Sequence, residues 1–263
     1  MADPDAIWHL DGDLAVPTEL ARGPWSAHAQ HGGAPSSLLA GLLERFEPGP
    51  ADFTARLNVE LMRPVPLAPL RVERTVVRPG KKVQIVQGSL FDGDAEIVRA
   101  TALRLRTAAT RFSDVVPSDL VDRLPPPGDP MPLPIKLVTE RVGFWDAVET
   151  SSAGAPPGQG LRGSLWFRLT VPVIAGETPS PLQRVAAVAD FANGISMSGL
   201  RGRYTYINPD LTIVLHRSPA GEWVALDARS FPEDAGIGVA DSELHDERGR
   251  IGRALQTIIL DER

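Results

Sequence analysis

The chain has 263 residues, 43% of them hydrophobic, with a formal net charge of −6 and no cysteine. That length and apolar content support a sizeable core and exclude wholesale disorder. The negative balance argues against nucleic-acid binding, and the missing thiols exclude disulfides, thiolate nucleophiles and Cys-ligated metals. Residues 1–13 carry acids and lack the apolar run of a signal peptide, and no apolar stretch approaches the roughly 18 residues of a spanning helix. The expectation is a cytoplasmic protein with no membrane contact.

The first clear element follows His31-Gly32-Gly33. Glycine and an early proline, Pro35, suit a helix start, and Leu38, Leu39, Leu42 and Leu43 recur at helical spacing until Pro48-Gly49-Pro50. Strands are expected over 57–62, 70–77, 83–91 and 97–106, with Asp92-Gly93 at a hairpin turn. A proline-rich stretch comes next, with Pro117, Pro125, Pro126, Pro127, Pro130, Pro132 and Pro134. Proline lacks a backbone donor, so this stretch reads as a linker with at most one short helix over 118–124.

A second helix begins more sharply. Ser180 suits the N-cap, Pro181 the first helical position, and Gln183 completes a capping box. Leu182, Val185, Ala186 and Ala189 form one stripe, whose small side chains require a close neighbour, and Asn193-Gly194 suits a C-cap. Strands are then expected over 212–216, 223–227, 236–244 and 252–260, with Glu247-Arg248-Gly249 at a turn.

The two regions repeat one another. Leu90, Asp92, Ile97, Arg99 and Ala100 recur as Leu244, Asp246, Ile251, Arg253 and Ala254, and the same offset carries Leu57, Leu61 and Arg63 onto Leu211, Leu215 and Arg217. Two segments agreeing on one offset indicate a duplication. The fold class is α+β, each half a helix followed by antiparallel strands, packed most economically with a curved sheet around its own helix. The expected division is 1–108, a linker over 109–138, and 139–263.

Four polar residues stand out. Asp190 falls at the edge of the buried stripe, where a carboxylate is costly unless bonded. Gln256 is the one polar side chain on a strand face with Gly252, Ala254, Ile258 and Leu260, and its repeat partner is Ala102. Thr212 lies in the strand entered through Asn208-Pro209-Asp210. The helix register is open: one alignment puts Ser36 opposite Asp190, the other Glu44. None of the five histidines shows ligand spacing, so no metal is expected. The nucleophile elbow, P-loop and dinucleotide fingerprint are missing from the sequence. Arg201-Gly202-Arg203 could bind phosphate or simply be solvated. Trp145, Trp166 and Trp223 read as core or as interface.

Gly32-Gly33 before the first helix, Asp190 in the second, Asn208-Pro209-Asp210-Leu211-Thr212 with His216-Arg217, and Gly252-Arg253-Ala254-Leu255-Gln256 together resemble the acyl-CoA thioesterase II family. The resemblance implies a double hot-dog fold and hydrolysis of acyl-CoA thioesters without a cofactor. It implies an aspartate, a threonine or serine, and a glutamine holding a water: Asp190, Gln256, and either Thr212 or Asn208. His31, Gly32 and Gly33 would bind substrate, with backbone N–H groups near Gly33 facing the oxyanion. A homo-oligomer is expected, because the outer sheet faces of such folds often pack further. The rival readings are a catalytically weak acyl-CoA or acyl-chain binding hot-dog protein and a hot-dog dehydratase, which would need a His–Asp pair.

Overall fold

The structure is a computed structural model, and it describes residues 5–109, 123–134 and 140–263. The helix expected over 118–124 lies outside these residues except for Arg123 and Leu124, which are not helical.

The first half contains β1 (Trp8–Asp11), β2 (Leu14–Pro17), β3 (Phe53–Leu61), β4 (Leu70–Arg78), β5 (Val83–Asp92) and β6 (Ala95–Leu105). The second half contains β7 (Val148–Ser152), β8 (Arg162–Leu169), β9 (Tyr204–Ile207), β10 (Asp210–Leu215), β11 (Val224–Glu233), β12 (Ile237–Asp246) and β13 (Gly249–Glu262). Each of the eight expected strands forms, and five more that were not expected form beside them: β1, β2, β7, β8 and β9. Gly93 takes a φ of 59° in the β5–β6 turn, a backbone conformation that glycine adopts without Cβ strain.

The thirteen strands of the described residues join one antiparallel sheet, in the order β1-β2-β4-β5-β6-β3-β10-β13-β12-β11-β8-β7, with β9 paired to β13. The centre is the seam between β3 and β10, where Leu57 faces Ile213, Asn58 faces Thr212 and Val59 faces Leu211. Outward from that seam the order is β3-β6-β5-β4 on one side and β10-β13-β12-β11 on the other, so the sequence repeat is a repeat of topology. The hairpins β1–β2 and β7–β8 extend the two outer ends in the same way.

Among the described residues three α-helices accompany the sheet: α1 (Gly33–Glu44), α2 (Pro181–Ala189) and α3 (Ala192–Ser196). The capping box at Ser180 forms as expected, with Gln183 N–H donating to the Ser180 hydroxyl at 3.1 Å and Ser180 N–H to Gln183 Oε1 at 2.9 Å. The C-cap assigned to Asn193-Gly194 does not form. α2 stops at Ala189, Asp190 caps it, and Asn193 and Gly194 lie inside α3.

The small residues of α2 pack against α1, and the two run antiparallel. Ser180 at the start of α2 donates to Glu44 at the end of α1, while Gly32 at the start of α1 meets Asp190 at the end of α2. A Cβ on Gly41 would stand 2.3 Å from the Gln183 amide nitrogen, so this glycine sets the approach of the helices. Gly33 to Leu43 are buried throughout, which explains why α1 is apolar almost all round. Trp145 and Trp166 are core residues, while Trp223 is half-buried.

Candidate active site

Asp190 sits where a carboxylate should be uncomfortable. It is 4% exposed and caps the C-terminus of α2, the negative end of that helix dipole. Antiparallel packing compensates by pressing the carboxylate against the N-terminal turn of α1, where positive partial charge accumulates. The contact is so close that a Cβ on Gly32 would lie 2.8 and 2.9 Å from the two carboxylate oxygens.

Among the described residues, three side chains bond or pair with the carboxylate. Oδ1 accepts from Asn208 Nδ2 at 2.8 Å and from Gln256 Nε2 at 3.1 Å. Oδ2 lies 3.0 Å from His31 Nδ1. The amides are held in turn by Asn193, whose backbone N–H donates to Gln256 Oε1 at 3.1 Å and whose side chain donates to Asn208 Oδ1 at 3.2 Å. With each amide oxygen occupied by a donor, each NH₂ group is directed at Asp190.

His31 is fixed by aromatic contact, stacked on Phe144 with centroids 4.8 Å apart and tilted on Phe191 at 4.6 Å. Its Nδ1 also lies 3.1 Å from the Gly33 N–H. One ring nitrogen cannot both accept from that N–H and donate to the carboxylate. A lone pair facing an ionised carboxylate is repulsive, so the proton belongs on Nδ1 when Asp190 is charged. The Gly33 N–H is then released from His31.

The cluster stands at the wall of a cavity of about 430 Å³. His31, Gly32, Asp190, Asn193 and Asn208 form its polar end, and Trp25, Leu61, Val65, Trp145, Phe191 and Ile195 are among its apolar walls. Gln256, 1% exposed, lies behind Asp190. Among the described residues no three histidine or acidic side chains converge to hold a metal ion, and no helix is long and apolar enough to cross a membrane.

Of the residues singled out in the sequence, Asp190, Gln256, Asn208, His31 and Gly32 come together, and Gly33 follows immediately. Thr212 does not join them. Its neighbours Leu211 and Ile213 are the buried residues of β10, so strand alternation turns Thr212 to the other face. There it stands in register with Leu255, which is exposed. Asn208 precedes the strand and escapes its alternation. Two features went unread: Asn193, taken for a cap, and the His31–Asp190 contact, which helix packing creates between residues far apart in sequence. The His–Asp pair that a hot-dog dehydratase would need is thus present in space, though the two residues are not neighbours in sequence.

Residues 21–105 match the model of the acyl-CoA thioesterase N-terminal domain, and residues 117–260 that of the acyl-CoA thioesterase C-terminal domain. No curated protein sequence matches the chain. Several solved structures are similar in fold. An acyl-CoA thioesterase II, TesB2, from Mycobacterium marinum is 15% identical over 97% of this chain and 95% of its own, with a TM-score of 0.66. A conserved protein of unknown function with a hot-dog fold from Alicyclobacillus acidocaldarius is 16% identical over 98% and 97%, with a TM-score of 0.66. A protein from Novosphingobium aromaticivorans assigned as a thioesterase is 16% identical over 97% and 98%, with a TM-score of 0.72. The mostly antiparallel sheet with few helices is thus of the hot-dog kind. With the two domain models together spanning most of its length, the chain belongs to the acyl-CoA thioesterases and is a thioester hydrolase.

Proposed function

We propose that this protein is a double hot-dog enzyme that hydrolyses acyl-CoA to free acid and CoA at a single site centred on Asp190. The observation that carries the reading is the Asp190 carboxylate itself. It is buried at the polar end of an apolar cavity and held by amides from two different elements, with one oxygen still directed towards His31. The matching strand order of the two halves supports the duplicated fold, with units over 1–108 and 139–263.

A thioester carbonyl is electrophilic enough to be attacked by an activated water, so no covalent nucleophile is required. Asp190 takes a proton from that water as the oxygen bonds to the carbonyl carbon. Asn208 and Gln256 hold the carboxylate at one angle, and His31 fixes its second oxygen. Negative charge moves to the carbonyl oxygen, which the N-terminal turn of α1 at Gly32 and Gly33 is placed to receive. The carbon–sulfur bond then breaks, and the proton on Asp190 passes to the departing thiolate. The acyl chain lies along the apolar wall.

Release of free thiol from a panel of acyl-CoAs, by the wild type and by Asp190→Asn, tests this directly. Turnover lost with acyl-CoA binding retained supports the mechanism, whereas equal rates remove Asp190 from it. Binding without turnover in the wild type would favour the weak acyl-binding reading. The His31–Asp190 pair also fits addition of water to an enoyl thioester, so an enoyl-CoA arm belongs in the panel. Hydration faster than hydrolysis would reassign the site. A homo-oligomer, packed through the outer sheet face, remains part of the proposal and is read from the mass in solution.

A further inference from the structure

The cavity carries a second polar feature that water activation leaves unused. Tyr206 on β9 is 0% exposed and lines the cavity two residues before Asn208. Its hydroxyl makes no well-formed hydrogen bond among the described residues, Arg201 being the donor that comes nearest, and the Nε of Arg201, which lines the same cavity, makes none either. Buried polar hydrogens of native proteins nearly always have partners, so two orphans on one wall call for a reason.

The surroundings say what they would accept. Trp25 meets Tyr206 edge-on at 5.1 Å, and the guanidinium groups of Arg201 and Arg263 lie over the Trp25 ring at 5.8 and 5.5 Å. Arg63 lines the same cavity. Burial pushes the Tyr206 phenol up from its ordinary pKa, and the positive charge of Arg201, its approach to the phenol oxygen as a donor and the charge of Arg263 pull it partly back. Arg203, two residues on, pairs with Glu262 at 3.7 Å. No carboxylate among the described residues plays that part for Arg201.

We propose that Arg201 and Tyr206 form a recognition subsite for an anionic oxygen of the substrate, set apart from the scissile thioester. A guanidinium only donates and a phenol donates readily, so a charged acceptor satisfies both, while a plain hydrocarbon leaves both stripped of water. Two parts of a substrate offer this chemistry: a phosphate of CoA, or a carboxylate carried on the acyl chain. The proposal rests on the reading of this cavity as the thioester site.

Binding of non-hydrolysable thioethers tests it without relying on turnover. S-hexyl-CoA, neutral S-hexyl-pantetheine and S-(5-carboxypentyl)-pantetheine are titrated into the wild type, Arg201→Met and Tyr206→Phe by calorimetry, with Trp25 fluorescence as a second readout. The wild type should prefer at least one anionic ligand over the neutral one. Arg201→Met should weaken that ligand about tenfold and Tyr206→Phe about threefold, leaving the neutral thioether unchanged. A response confined to S-hexyl-CoA assigns the subsite to phosphate, and one confined to the carboxypentyl ligand assigns it to the acyl end. Equal affinity of the wild type for all three ligands, or equal weakening of all three by the variants, would overturn the proposal. Should the wild type release no thiol, the thioesterase reading fails while these titrations remain interpretable.

Discussion

Asp190 and Glu44 occupy matching places at opposite ends of the antiparallel helix pair. Asp190 caps α2 against the start of α1, and Glu44 ends α1 against Ser180, the N-cap of α2. The structure thereby favours the register that sets Glu44, rather than Ser36, opposite Asp190. Their surroundings differ. Asp190 faces two amides, an imidazole and a cavity. Glu44 faces the positive charges of Arg104, Arg184 and Arg45, with burial raising its pKa against their pull and that of the Ser180 hydroxyl. Where β13 carries Gln256, the repeat gives β6 Ala102, and two residues on stands buried Arg104 in place of Ile258. Packing alone thus delivers an acid to a helix N-terminus twice. The proposed chemistry draws on what the Asp190 end adds, amide donors that orient the carboxylate without neutralising it, beside space for a substrate.

The comparison breaks most severely if the two acids prove interchangeable. Asp190→Asn should lower kcat by about 10²- to 10⁴-fold, the usual worth of a general base, while Glu44→Gln leaves turnover unchanged. Steady-state thiol release measures both. A comparable loss in Glu44→Gln would mean that the two ends act together and that the asymmetry lies only in packing.

Removing one orienting amide should cost less. Each hydrogen bond to a charged group is worth roughly 1.5–3 kcal/mol, so Gln256→Ala and Asn208→Ala should each lower kcat by about ten- to a hundredfold. Thr212→Val, on the far face of β10, should have no effect. If Thr212→Val were the damaging change and Asn208→Ala harmless, the third member of the site would have to be reassigned.

Gly32 sharpens the comparison from the other side. Its φ of −60° suits any residue, so alanine meets no backbone strain there. The added Cβ would nonetheless strike both Asp190 oxygens and Leu61 Cδ1 at 2.8 to 2.9 Å. Gly32→Ala should cost about tenfold in kcat, with a thermal midpoint lowered by only a few degrees, because the carboxylate must move a few tenths of an ångström. Wild-type activity in Gly32→Ala would show that close contact with α1 is incidental to the chemistry.

Much of this was legible in the chain. Period-two alternation located the strands from β3 to β6 and from β10 to β13, and Ser180, Pro181 and Gln183 marked the start of α2 because capping is local. Asp190 and Gln256 stood out because a polar residue on a buried face needs a partner, whatever that partner is. The partners themselves were less legible. Thr212 and Asn208 are separated by which face a strand turns inward, and Asn208 lies just before the point where that alternation begins. His31 reaches Asp190 only through the crossing of α1 and α2, and the restart of the chain as α3 hides the role of Asn193 behind a plausible cap. Contacts made by packing between distant segments leave no period in the sequence.

The smallest effect is electrostatic and concerns the Glu44 end alone. Burial raises the Glu44 pKa above its ordinary 4.5, so the folded protein binds this proton more tightly than the unfolded chain does. The resulting stability is fully present below 4.5 and is lost as the pH rises through the folded titration. Asp246 runs the opposite way. Although burial works against it, bonds from Arg217 and from the N–H groups of Ala220 and Arg248 draw its pKa below 3.8, so its contribution is present above that value and lost on further acidification. The two windows do not overlap. Between about pH 4.5 and 7, the thermal midpoint of Glu44→Gln should therefore fall less steeply than that of the wild type, because a neutral amide has no proton to lose. Identical slopes would show that Arg104, Arg184 and Arg45 fully offset burial. Glu44 would then be as comfortable ionised as a surface acid, and the two helix ends would differ only in their access to the cavity.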